Sequence, residues 1–143
     1  AGITPLNVNF EDELELIGYQ AVVRPQTRYG GQTAGPILQI TIYWRVPAPA
    51  RWDYALSLRL IDARGQEIYR KDAAHPVLSS YPTTLWQPGE VVGDFYELPL
   101  PADGGPVTLQ LLPYRTEGPG QWYNLTPKVA EQPGIMLGPF GQQ

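Results

Sequence analysis

The residues of this 143-residue chain that could move a proton or attack a substrate are few. Its only histidine, His75, lies in KDAAHPVLSS, close to Asp72, Ser79 and Ser80. A serine with a histidine base and an aspartate behind it is a hydrolytic set. That set works through geometry, and no G-x-S-x-G elbow or strand-turn-helix context frames these residues. His75 therefore reads as a surface-loop residue. Asp94 and Glu97 are the kind of carboxylate pair a glycosidase uses, but a spacing of three puts them on opposite faces of a strand. Glu11-Asp12-Glu13 offers oxygens to a hard cation such as Ca²⁺. It lacks EF-hand spacing, and alternate side chains of an extended run point apart, so a solvated turn is the stronger reading. Gly30-Gly31 has neither the dinucleotide nor the Walker spacing, and Asn124-Leu125-Thr126 matches a glycosylation sequon by composition alone. The absence of cysteine excludes disulfides, thiolate zinc sites and thiol catalysis. The chain is read as not an enzyme, with no catalytic residue, no metal site and no cofactor.

Binding chemistry is better represented. Trp52 lies between VPAPAR and a strand, and Trp122-Tyr123 lies between GPGQ and NLTP, so both read as loop positions. Sugar rings present flat C–H faces that stack on aromatic side chains. Trp52, Trp122 and Tyr123 are thus candidates for a stacking platform, with Asp53, Gln121 and Asn124 as polar contacts. The competing reading is that these aromatics anchor loops against the end of the domain or against a neighbouring domain. Nothing in the sequence brings the two loops to the same end. Trp86, in YPTTLWQPGEVVGDFYELPLP, reads instead as a core plug where a loop enters a strand. Trp44 lies on an alternating apolar face and reads as core.

These residues need a scaffold, and composition defines its class. Hydrophobic residues make up 43%, enough for a core, while 16 Pro and 15 Gly demand many short elements. Net charge is −4 and the only lysines are Lys71 and Lys128, so no basic stripe exists to neutralise a phosphate backbone. Nucleic acid is not an expected partner. No apolar run approaches the roughly 20 residues that span a bilayer, so this segment does not itself insert into a membrane. The start at Ala1 without Met reads as a processed or excised piece of a longer protein.

Period-two alternation recurs along the chain. Leu38, Ile40, Ile42, Trp44 and Val46 alternate with polar neighbours, and Tyr54, Leu56, Leu58 and Leu60 do so against Ser57 and Arg59. Tyr96, Leu98 and Leu100 form a third run, and Val107, Leu109 and Leu111 a fourth. Weaker strands are expected over residues 6–10, 14–23, 66–72 and 135–137. Asp62-Ala63-Arg64-Gly65 has the chemistry of a tight hairpin. The stretches 24–35 and 117–120 read as loops, and 122–133 as irregular. The expectation is all-β: one antiparallel β-sandwich domain over residues 1–143, of about seven or eight strands and immunoglobulin-like in order, with a jelly roll as the alternative.

FEDELELIGYQ (10–20), LQITIYWRVPAP (38–49), YALSLRLIDARGQEI (54–68) and YPTTLWQPGEVVGDFYELPLP (81–101) occur in that order. Together they resemble a β-sandwich domain common in envelope proteins of filamentous green bacteria. That domain often follows the multi-spanning part of membrane proteins related to dolichyl-phosphate-mannose-type glycosyltransferases. The resemblance covers about residues 8 to 115 and rests on strands and turns: a GY strand, an LYWR strand, a YxxxxxLxD hairpin, a TxxWxPGE turn and a DxYxLxLP strand. Two departures stand out. Gly105-Pro106-Val107 replaces a Pro-Gly-x-Tyr element, and RTEGPGQWYNLTPK follows Tyr114 where the family has an aspartate and a regular hairpin. The resemblance implies an extracytoplasmic, cell-envelope location, and partners among the parent protein's other domains or other envelope proteins. It implies no settled activity. The first functional expectation is a non-catalytic interaction or spacer module; the alternative is a carbohydrate-binding module built on the loop aromatics.

Overall fold

A computed structural model describes residues 2–25, 27–29, 32–73 and 81–141. The strands are β1 (Thr4–Phe10), β2 (Leu14–Arg24), β3 (Thr27–Tyr29), β4 (Gln32–Ala34), β5 (Ile37–Arg45), β6 (Ala55–Asp62), β7 (Glu67–Ala73), β8 (Val92–Pro99), β9 (Val107–Gly118), β10 (Gln121–Asn124) and β11 (Ile135–Phe140). Two antiparallel sheets face each other as a β-sandwich. One is four-stranded, in the order β1-β2-β5-β8. The other is five-stranded, in the order β10-β9-β6-β7, with β11 pairing the N-terminal half of β9. Strands β3 and β4 make a separate two-stranded hairpin where a loop is expected, and β10 forms where irregular chain is expected. The ladders thus hold more strands than the seven or eight anticipated. No helix among the described residues is long and apolar enough to cross a membrane.

The core sits between the sheets, built from the alternating runs. Leu38, Ile40, Ile42, Trp44 and Val46 have no exposed surface, and neither do Leu56, Leu58 and Leu60 of the facing sheet. Alternation fails on the outer side of β6, where Ser57 is 3% exposed and Ala55 5%. Burial on both faces of a strand means that its outer face is overhung by neighbouring side chains. That overhang is where the site lies.

The TTLWQPGE segment (83–90) is pinned to the sandwich by hydrogen bonds along its length. Thr83 opens a 3₁₀ turn; its hydroxyl donates to the Trp52 carbonyl (2.7 Å) and accepts from Tyr54 N–H (3.0 Å). Trp86 is 2% exposed, and its Nε1 donates to the Tyr81 carbonyl (2.8 Å). Gly89 takes φ +84°, a left-handed value open to glycine, and its N–H closes on the Val46 carbonyl (3.1 Å). Glu90 accepts from Gln87 N–H (3.0 Å) and the Tyr81 hydroxyl (2.9 Å). Trp86 is a core plug.

Candidate ligand-binding groove

The β9–β10 hairpin decides where the candidate aromatics point. Trp122 pairs with Thr116, Tyr123 with Arg115 and Asn124 with Tyr114. Side chains of a strand alternate between faces, so Trp122 and Asn124 share the outer face with Thr116 and Tyr114, while Tyr123 turns the opposite way with Arg115. The sequence reading of these residues as a loop is corrected here. A four-residue strand carries too little alternation to be recognised without its partner.

On the outer face a groove of about 420 Å³ crosses the five-stranded sheet. Trp122 forms one rim from β10, with 66% of its surface exposed. Tyr114 from β9 and Ser57 and Arg59 from β6 lie between the rims, and Arg70 and Asp72 from β7 form the opposite side. Four strands at about 4.8 Å spacing make this span about 14 Å. Burial, then the negative charge of Asp72, raises the Tyr114 phenol above its ordinary pKa. Arg59 and Arg70 are direct partners across the β6–β7 ladder, which sets two positive charges side by side. Glu67 neutralises one of them: its carboxylate accepts from Arg70 Nη2 (3.0 Å) and Nε (3.1 Å). It stands 3.8 Å from Arg59 Nε. That bidentate bond holds the Glu67 pKa low and the Arg70 pKa high.

The inward-turned residues make a second cluster at the end of the sandwich. The Arg115 guanidinium lies 4.2 Å from the Tyr123 ring centre and 5.5 Å from that of Trp52, so the two aromatics flank it. Its Nη1 donates to both oxygens of Glu13 (2.8 and 3.0 Å) and its Nε to Glu117 (2.7 Å). Burial works against the Arg115 charge, but the hydrogen bond to Glu117 and the charges of Glu13 and Glu117 outweigh it and raise its pKa. Burial and the 2.6 Å hydrogen bond to Glu13 likewise raise the Tyr54 phenol. Tyr123 donates its hydroxyl to Glu11 (2.8 Å), which raises its pKa too. A cavity of about 450 Å³ beside these residues is walled by Glu11, Glu13, Trp52, Tyr54 and Arg115 among others.

Trp52, Trp122 and Tyr123 therefore do not share one platform. Trp52 and Tyr123 converge on Arg115, and Trp122 stands alone at the groove on the other face. Of the expected polar contacts, Asp53 is spent on Thr84, accepting from its N–H (3.1 Å) and its hydroxyl. Gln121 is exposed at the β9–β10 turn, and Asn124 lines the groove beside Trp122. His75, Ser79, Ser80 and Gly30-Gly31 lie outside the described residues. Asp94 and Glu97 do fall on opposite faces: Asp94 is fully buried and Glu97 exposed.

The acidic run is a turn, with the Asp12 side chain 69% exposed as a solvated turn implies, yet every carboxylate has a partner. Glu11 and Asp12 take φ +58° and +60°, and Glu13 N–H bonds the Phe10 carbonyl (2.9 Å), a primed-type turn within the three-residue β1–β2 connection. Glu11 accepts from Tyr123 and from Thr126 N–H (2.7 Å), Asp12 pairs with Lys128 (3.1 Å), and Glu13 holds Arg115 and Tyr54. Each carboxylate faces a different partner. Among the described residues no three His, Cys, Asp or Glu side chains gather as a metal site.

The groove residues missed by sequence reasoning are Tyr114, Arg59, Arg70 and Asp72. They come from three strands, and only the ladder brings them together. Arg115 was within reach: it continues the inward phase of Leu109, Leu111 and Pro113. The chain matches no known family model, no curated protein and no solved structure.

Proposed function

We propose that this chain is a non-catalytic binding module of a bacterial envelope protein, located outside the cytoplasm, and that the groove on its five-stranded sheet takes a carbohydrate. The observation that carries this reading is Trp122, 66% exposed at the edge of a groove whose walls also supply Ser57, Asn124 and Asp72. An apolar stacking surface beside a few convergent polar groups is what a polyhydroxylated ring requires. The envelope location rests on the resemblance over residues 8 to 115. A glycan array probed with the chain tests the reading. Binding should vanish in Trp122→Ala and persist in Trp52→Ala, since Trp52 belongs to the Arg115 cluster. Silence across the array would overturn it.

A second reading, a docking or spacer module for other envelope domains, is favoured by a different surface. Val91 and Phe95 are 52% and 46% exposed, just before and on β8, the edge strand of the four-stranded sheet. Large apolar side chains gathered along a sheet edge suit contact with protein. Crosslinking from position 95 to another part of the parent protein would favour this reading over the glycan.

A further inference from the structure

We infer that the groove selects acidic sugars, with Arg59 receiving the carboxylate of a uronic acid ring stacked on Trp122; this rests on the carbohydrate reading above. The walls carry Arg59, Arg70 and Asp72, and Glu67 bonds Arg70, so two cations face two carboxylates. What an anion would meet is therefore decided by which guanidinium keeps donors open to the groove. The two arginines are not equivalent. Arg70 is occupied by the bidentate bond to Glu67. Arg59 makes one hydrogen bond among the described residues, from Nε to the Ser57 hydroxyl (3.2 Å); Glu67 faces that same Nε at 3.8 Å, and neither Nη group bonds a described residue. Its side chain is 27% exposed, and Ser57 beneath it is nearly buried, so the guanidinium is held in place yet open to the groove. A planar fork with two unspent donors matches a carboxylate. A neutral hexose would bring no anion to those two Nη groups.

Titration calorimetry with glucuronate, galacturonate and mannuronate oligomers, each beside its carboxyl-reduced neutral counterpart, tests this. At least one acidic oligomer should bind about tenfold or more tightly than its neutral partner. Arg59→Gln should remove that preference, and added salt should weaken it. Asp72→Asn should tighten acidic binding by removing a like charge. This second variant decides the matter if Arg59→Gln does not fold, because exposed Asp72 makes no side-chain hydrogen bond among the described residues. Equal binding of acidic and neutral oligomers, or no gain in Asp72→Asn, would overturn the inference and leave the carbohydrate reading standing. No binding by any oligomer, with silence on the array, would remove both.

Discussion

Arg115 Nη1 stands 2.8 Å from Glu13 Oε2, and this contact links one sheet to a turn of the other. Glu13 is the last residue of the β1–β2 turn in the four-stranded sheet, and Arg115 is on β9 of the five-stranded one. Their side chains are 17% and 25% exposed, which shields the pair from the screening that makes surface ion pairs weak. The pair ties one end of the sandwich shut.

Arg115→Met should therefore destabilise the fold by about 2 kcal/mol, less than loss of a fully buried partner, because Glu13 keeps the Tyr54 hydroxyl as donor. Urea unfolding of Arg115→Met, Glu13→Gln and the double variant should show clear coupling between the sites. Additive single effects would mean that the contact does not join the sheets energetically.

The tryptophans should divide sharply. Trp86→Ala removes a 2% exposed indole and its hydrogen bond, and should cost about 3–5 kcal/mol. Trp122→Ala, at an exposed rim, should stay within about 0.5 kcal/mol. Thermal unfolding of both variants checks the contrast. A large loss for Trp122→Ala would show that it stabilises the sheet instead of serving a ligand.

The same division explains what was legible in the sequence. Leu38 to Val46 is readable because one face of β5 is wholly buried, which forces strict alternation. Trp86 is readable because Pro88-Gly89 marks the turn beside it. The groove is not readable, since Arg59 meets Arg70 and Ala55 meets Tyr114 only through strand register. Tyr123 and Trp52 sit far apart in sequence, and Arg115, the cation between them, lies in a run whose polar residues Arg115, Thr116 and Glu117 conceal the strand. Arg24 to Gly35 reads as a loop because β3 and β4 are three residues each, too short to show a period.

Gly18 marks the register shift between β2 and β5, and a Cβ there would lie 2.5 Å from the Thr4 carbonyl oxygen. That oxygen is backbone, on a strand paired to β2, so it cannot swing aside. Gly18→Ala should cost about 1–3 kcal/mol and loosen β1 locally. Hydrogen exchange should show lost protection confined to β1 and its partner residues. Unchanged protection would mean that the bulge absorbs the methyl.

Alkaline pH should unfold the protein through two buried tyrosines. Burial comes first for Tyr96, then the charge of Asp94 and the 2.7 Å hydrogen bond to it; all raise the phenol above its ordinary value near 10. Tyr54 is raised by burial and by Glu13. A raised pKa means that the folded state keeps a proton the unfolded chain releases. The contribution to stability is thus whole below about pH 10, and it falls as pH climbs from there toward the folded-state values. Each retained proton makes stability fall by roughly 1.4 kcal/mol per pH unit in that window. Urea midpoints should accordingly be level at neutral pH and drop steeply above about pH 10. Near-ultraviolet titration should show part of the nine tyrosines ionising only as the fold is lost. Tyr96→Phe should be less stable at neutral pH by about 1–3 kcal/mol, because buried Asp94 loses a donor, yet show a shallower alkaline slope. An unchanged slope in that variant would mean that Tyr96 does not govern the alkaline transition.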